Sequence, residues 1–414
     1  MPKKFKEIDR RLLTVLLIVF VQMLGGAMIM PILPLYAQRE FGMSPQIITL
    51  LSTSFFVAQF IAGPYLGRLS DKHGRIPVLI ISQVGTAVSF VMLALAPNVT
   101  FLFIARILDG ITGGNIIVAQ AYITDITPRE KRTQSLGFVF AVFGLGFIFG
   151  PAIGGILSAA FGPRVPYMFA AVAATIVVLL TWFTLDETLS AEQREANRRF
   201  TKQNIGLSTI VRNNSLLLIL IVAFVGQFGM GLLQSTFALF GEAVLFAGYS
   251  EKVVNLGIGI MLTLIGVGQV LTQTLLLPRA IKRYDEAWLV VFGLSLRTVG
   301  LFILAALAAP LTGGVAALFF ATGVGLMMPP LQALATTTVA DEMRGGVLGV
   351  YQSTLSLSTI ASTAVAGTIF AINPHNPYWL GAALSLVVLV PAFVLVRRTG
   401  AGRRKPASLT ALTD

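Results

Sequence analysis

The chain has 414 residues, 55% of them hydrophobic and only 12% charged, with a mean hydropathy of +0.83. Soluble domains carry about a quarter charged residues, so this composition excludes a water-soluble fold and points to an all-α integral membrane protein. The net charge of +12 would suit a nucleic-acid partner, but the cations are spread over many loops, and with no cysteine and two histidines no disulfide or metal centre is expected.

Apolar runs of the length needed to cross roughly 30 Å of hydrocarbon as a helix recur along the whole chain. Twelve are predicted, at about 12–36, 46–67, 77–96, 99–121, 134–159, 166–185, 214–241, 253–277, 288–308, 313–336, 347–372 and 377–396. No cleavable signal peptide is expected, because the first run lacks a small-residue cleavage site. The basic stretch before it reads as a topology anchor with affinity for anionic lipid. Span one ends with Pro31 and Pro34, which bend its last turns. After span two come Gly67, Asp71, Gly74 and Arg75 in the pattern G-x-L-x-D-x-x-G-R. A glycine turn there would present a carboxylate and a guanidinium at the ends of two helices, where the carboxylate can meet a helix N-terminus or a cation from the other half of the protein. A plain cationic turn would explain Arg75 but not Asp71. Gln59, Gln83, Asn115 and Gln120 are amides inside spans two to four, and each needs a protein partner or a water-filled cavity.

Span four holds Arg106 and Asp109, three residues apart and so neighbours on one helix face, followed by Gly110 and Gly113. At 1.5 Å per residue from about Val99, Asp109 lies roughly 15 Å deep, and it is the one acid placed midspan. A charge at that depth is costly and normally partnered. Arg106 is the nearest partner, in either a proton carrier or a purely structural ion pair. Beyond a basic break from Thr127 to Arg132, span five carries Gly146, Gly150, Pro151, Gly154 and Gly155, the pattern G-x-x-x-G-P-x-x-G-G. Small residues four apart let helix backbones approach closely in lipid, and the proline bends the helix.

In these residues the chain resembles the drug:proton antiporters of the major facilitator superfamily, twelve-span type, and most of all their tetracycline-efflux branch. The resemblance implies two six-helix bundles with a cavity between them. It also implies proton coupling through Arg106 and Asp109, and state switching through the loop residues Gly67, Asp71, Gly74 and Arg75. Gly146, Gly150, Pro151, Gly154 and Gly155 match the family's antiporter motif. Span one holds no acid, whereas the tetracycline exporters carry a membrane aspartate in that helix, so a substrate other than tetracycline is expected.

Residues 186 to 212 form a long polar stretch, read as a linker with a partly amphipathic surface helix. The expected organisation is a bundle over 1–185, a linker over 186–213, a second bundle over 214–396 and a basic tail over 397–414. The second half repeats the first at an offset of about 212 residues: Arg344 falls on Arg132, Gly349 on Gly137, and Lys282 stands where Asp71 was. Arg106, Asp109 and the glycine-proline pattern have no full counterpart, which assigns the coupling chemistry to the first half. The second half offers Gln227 and Gln234 on one face of span seven, Glu242 near its end as a further proton-coupling candidate, Gln269 and Gln273 in span eight, Arg297 in span nine, Gln332 in span ten and Gln352 in span eleven. With Asn115 and Gln120, these amides are candidate linings of a substrate cavity; structural bonds between helices account for them equally well.

Arg39, Arg164, Lys252, Arg106 and Arg297 are the exceptions among 30 Lys and Arg. The rest lie in the tails and in alternate loops, which places both termini in the cytoplasm of a multi-pass protein of the cell (inner or plasma) membrane. No nucleotide-binding loop of the G-x-x-x-x-G-K-[ST] type is present, so a proton gradient rather than ATP is the expected drive, with no cofactor. The leading reading is a monomeric secondary transporter whose partners are protons, a small lipophilic substrate and the bilayer, exporting that substrate by alternating access. A proton- or ion-coupled uptake carrier, or a lipid translocator, is the alternative; the span-five pattern, shared by the family's exporters, argues against it. An enzyme is not expected, for want of a nucleophile or metal constellation. A transport-dead sensor of the same fold is separated from a carrier only by flux measurements.

Overall fold

A computed structural model of the chain describes residues 10–128, 131–190, 192, 194, 213–307, 309–339 and 343–403. Most of the expected linker, from 195 to 212, lies outside the described residues, as do the first nine residues and the tail from 404 onward. Among the described residues twelve helical spans are long and apolar enough to cross a membrane. Spans one to six are Arg10–Phe41, Pro45–His73, Arg75–Ala94, Val99–Ile126, Ala141–Phe161 and Val165–Thr184. Spans seven to twelve are Asn214–Leu245, Glu251–Ala280, Glu286–Ala306, Pro310–Thr337, Arg344–Ile372 and Asn376–Arg398. Residues such as Leu311, Phe183 and Ile372 expose most of their apolar surface, as a bilayer-facing wall requires. With twelve spans, the Arg10 end of span one and the Arg398 end of span twelve lie on one face, called here the basic face; the other is the far face.

The ends of several spans shift by a few residues, and two expectations about local structure change. The pattern after span two was expected to form a turn from Gly67, but the helix continues to His73 and only Gly74, at φ 106°, reverses the chain. Gly67 is instead a packing residue: a Cβ there would stand 3.7 Å from Ile117 of span four. Span four was expected as one helix ending near 121, yet it is two helices, Val99–Thr112 and Asn115–Ile126, broken at Gly113 and Gly114. Asn98 starts the first by accepting a hydrogen bond from the Phe101 N–H at 3.0 Å. Two adjacent glycines then weaken the helix where it passes Gly63 and Leu66 of span two.

The span-five glycines do pack closely, against two neighbours rather than one. Gly146, Gly150 and Gly154 lie on span one, at Met23, Ala27 and Met28. Gly155 faces the other way, onto Asn255 and Gly259 of span eight, with 3.2 Å between an added Cβ and the Gly259 Cα. Pro151 lies inside the same continuous helix, Arg132–Phe161, between Gly150 and Gly154.

The buried core is organised unequally along the membrane normal. Toward the far face one continuous cluster takes residues from both halves, from Ile29 to Ala37 in span one and from Leu233 to Phe240 in span seven. Toward the basic face the clusters are separate: one holds Val15, Leu79, Tyr122 and Val177 of the first six spans, another Leu220, Leu294, Leu331 and Val388 of the last six, and a small third joins Leu277, Leu289 and Leu326 within the last six. The halves therefore share a core on the far side and keep their own on the basic side.

Candidate functional site

Arg106 and Asp109 meet as the spacing requires, with Arg106 Nη1 2.7 Å from Asp109 Oδ2. Residues three apart on a helix point along the same face, so the pair forms without any loop rearrangement. Both are buried, at 7% and 5% exposure, and the Arg106 guanidinium lies over the Phe55 ring of span two, 4.2 Å from its centroid. Arg106 Nε has no hydrogen-bond partner among the described residues. At the helix break the Gly113 N–H donates to the Asp109 carbonyl at 2.6 Å, so the acid sits on the last regular turn before span four loosens. Gln59 Nε2 donates to the Gly113 carbonyl at 3.2 Å and steadies that break from span two.

Glu242 stands far from this pair, in a short π-helical turn, Gly241–Leu245, at the far end of span seven. Its Oε1 accepts from Arg39 Nε of span one at 2.8 Å and lies 2.7 Å from Arg39 Nη2 in the same ion pair. Arg39 Nη1 also donates to Asn255 Oδ1 at 3.1 Å, and Asn255 Nδ2 donates to Ser158 Oγ of span five at 3.2 Å. Further along the same face Thr53 Oγ1 reaches Thr363 Oγ1 at 3.0 Å, and the Gly367 N–H donates to Thr49 Oγ1. These bonds join the halves on the face where the core is continuous. Asn255 and Ser158 were not singled out from the sequence, and Arg39 was noted there only as a cation outside the alternate loops. The signal was there: Arg39 is one of three cations on the cation-poor face, and an acid stands opposite.

The third cluster gathers on the basic face. Asp71 pairs with Arg75 at 2.7 Å within its own half, and Arg75 also bonds Asp125 at 3.0 Å and Ser70 at 2.8 Å. The carboxylate that meets a helix N-terminus is Glu187, not Asp71: Glu187 accepts from the N–H groups of Arg75 and Ile76 at 3.0 and 3.1 Å. Asp125 and Glu187 were missed, because they lie 50 and 112 positions from Arg75.

The amides divide. Gln227 is engaged, donating to Thr359 Oγ1 of span eleven at 3.0 Å. Gln120, Gln234, Gln269 and Gln273 are half-buried, while Gln332 and Gln352 are exposed on the segments of spans ten and eleven near the basic face. The Asn115 side chain lies outside the described residues. Arg297 is fully buried and its guanidinium nitrogens have no hydrogen-bond partner among the described residues; Gly226 and Gly229 of span seven leave it room, and the Phe320 ring lies 5.5 Å from its Cζ.

Comparison with known proteins agrees with this architecture. The sequence model described as Major Facilitator Superfamily matches residues 15–257 and 232–412. A "Tetracycline resistance protein, class H" from Pasteurella multocida is 29% identical over 401 residues, covering 94% of this chain and 98% of its own. "Multidrug resistance protein 2" of Bacillus subtilis (strain 168) is 28% identical over 392 residues, covering 94% and 96%. Among solved structures, a bacterial homolog of the human lysosomal transporter Spinster, inward-facing and occupied, matches with a TM-score of 0.76 at 15% identity, over 97% of this chain and all of that one.

Proposed function

The chain belongs to the major facilitator superfamily, and from that premise we propose that it exports small lipophilic compounds from the cytoplasm in exchange for protons. Residues 1–185 and 214–396 are the two bundles that rock against each other, 186–213 is the tether, and 397–414 is a basic tail. The basic face is cytoplasmic, with both termini there, and the protein works as a monomer in the cell membrane without a cofactor. The resistance proteins named above, each covered almost end to end, support export.

The observation that carries the reading is a single midspan carboxylate, Asp109, held 2.7 Å from Arg106 inside a protein whose halves share a core on one face only. A proton arriving at Asp109 removes one charge of a buried pair. The energy of the pair then differs between states, which is what lets a proton gradient bias a two-state equilibrium. Arg39 and Glu242, with Asn255 and Ser158, act as the far-face latch. It must part when that face opens, and Glu242 is the second group where an incoming proton can act. Gly146, Gly150 and Gly154 keep span five seated on span one, while Gly155 lets it slide against span eight. Gln120, Gln227, Gln234, Gln269, Gln273, Gln332 and Gln352 supply polar groups to the substrate path, with Asn115 at the break of span four. Span one has no acid before Glu40 at its far end, so the substrates are lipophilic compounds of the multidrug kind rather than tetracycline.

The test is flux in inside-out vesicles and proteoliposomes under an imposed pH gradient, with a panel of lipophilic cations and antibiotics. Accumulation that collapses when a protonophore is added supports proton-driven export. Flux only in the opposite direction indicates uptake, and binding without flux indicates a sensor.

A further inference from the structure

The loop between spans eight and nine has a feature that the transport reading leaves unused. A lateral groove of about 480 Å³ opens between spans eight, nine and ten, lined by Leu276, Ala280, Phe292, Val299 and Leu326, with Tyr284 at its basic-face end. Its walls are almost wholly apolar, and Leu276, Phe292 and Val299 are exposed. Arg279, Lys282 and Arg283 are exposed in the same turn as Ala280 and Tyr284. Arg279 donates to the Leu275 carbonyl at 2.5 Å, while Lys282 and Arg283 have no carboxylate partner among the described residues. Asp285 and Glu286 follow at the start of span nine, leaving three cations against two acids over this short stretch.

The equivalent turn of the first half behaves differently. There Arg75 is consumed internally by Asp71 and Asp125, and Glu187 caps the next helix. In the second half Lys282 occupies the place of Asp71, so the turn has no acid of its own at that position, and Lys282 and Arg283 are exposed. Tyr284 packs edge-on against Phe292 at 5.4 Å, and Trp288 stacks on Phe292 at 5.8 Å, aromatic residues of the kind that sit at headgroup level.

From this juxtaposition we propose that the groove is a binding site for one anionic phospholipid, its acyl chain along Leu276, Phe292 and Val299 and its phosphate on Lys282 and Arg283. An occupant must be apolar at membrane depth and anionic at the level of the loop, and a phospholipid in the basic-face leaflet meets both demands in one molecule. A soluble protein partner would not reach the groove, and a neutral lipid would leave the two cations unmatched.

The test uses the full-length protein in mild detergent and native mass spectrometry with phosphatidylglycerol or phosphatidylcholine added. One phosphatidylglycerol should be retained in preference to phosphatidylcholine. The double variant Lys282→Gln, Arg283→Gln, on an exposed loop, should weaken that retention by about fivefold for each cation removed. Val299→Trp, which fills the groove from a lipid-facing position, should remove it, whereas Arg164→Gln on the far face should leave it unchanged. Equal retention of the two lipids by the unmodified protein, or undiminished phosphatidylglycerol in the double variant, overturns the proposal. So does a Val299→Trp protein that keeps phosphatidylglycerol but loses substrate flux, which would make the groove a side entrance for substrate.

Discussion

Arg39 and Glu242 are 203 positions apart in the chain and form a forked contact, both Nε and Nη2 of the arginine reaching one carboxylate oxygen at 2.8 and 2.7 Å. The pair joins the far end of span one to the far end of span seven, where the two halves share their core. Asn255 extends it to Ser158, so the helix with the glycine-proline pattern is tied to the same contact.

Glu242→Gln and Arg39→Gln are each expected to weaken far-face closure. Charge-assisted bonds of this kind contribute about 1.5–3 kcal/mol when shielded. The side chains here are 19% and 26% exposed, and solvent reduces the effect to about 1–2 kcal/mol, a five- to thirtyfold shift of the equilibrium. A cysteine introduced at Leu35, in a chain that has none, reports the change as faster labelling from the far face. The double variant should label no faster than the stronger single one; fully additive effects would mean that the two residues do not act as a pair.

Asp109→Asn is expected to abolish gradient-driven efflux while substrate binding survives, since the amide mimics the protonated acid. Removing one partner of a buried pair costs about 3–5 kcal/mol, so thermal stability should fall as well. Adding Arg106→Gln should recover part of that stability without restoring transport. Proton-driven efflux by the Asp109→Asn protein would remove Asp109 from the coupling role and leave Glu242 as the candidate.

Gly150→Leu should eliminate transport, because even a methyl group at this position would stand 2.5 Å from the Ala27 Cβ of span one. Gly162→Ala, which position alone would recommend as a harmless control in a loop, is unsuitable: Gly162 has φ 96°, so alanine there is strained by about 1 kcal/mol or more. Gly26→Ala is the better control, with no atom within 4 Å of an added Cβ. Well-expressed Gly150→Leu protein with normal efflux would refute the close-packing argument.

Glu187→Gln should loosen the start of span three. The carboxylate accepts from the N–H groups of Arg75, Ile76, Thr188 and Leu189 at 3.0 to 3.1 Å, and weakening those bonds costs about 1–3 kcal/mol, read as a lower unfolding temperature in detergent. Asp71→Asn should leave the far-face-closed state intact, since Asp71 bonds within its own half there, and should slow the switch to the opposite state. An unchanged switching rate, followed by labelling on both faces, would end that role for Asp71.

Composition and the length of the apolar runs determined the membrane class and the number of spans, because each helix in hydrocarbon must satisfy its backbone within itself and so announces itself locally. The same holds for Arg106 and Asp109: a spacing of three on one helix sets their contact before any tertiary structure forms. The span-five glycines were legible as a packing face for the same reason. Tertiary structure alone decided what lies between helices. The Arg39–Glu242 latch, the Asp125 and Glu187 contacts of Arg75, and the split between glycines facing span one and the glycine facing span eight each join residues tens to hundreds of positions apart. No periodicity encodes such distances. Which half-core is shared and which divided depends on how two whole bundles lean, a rigid-body relation set by the sum of many side-chain contacts rather than by any one stretch of sequence.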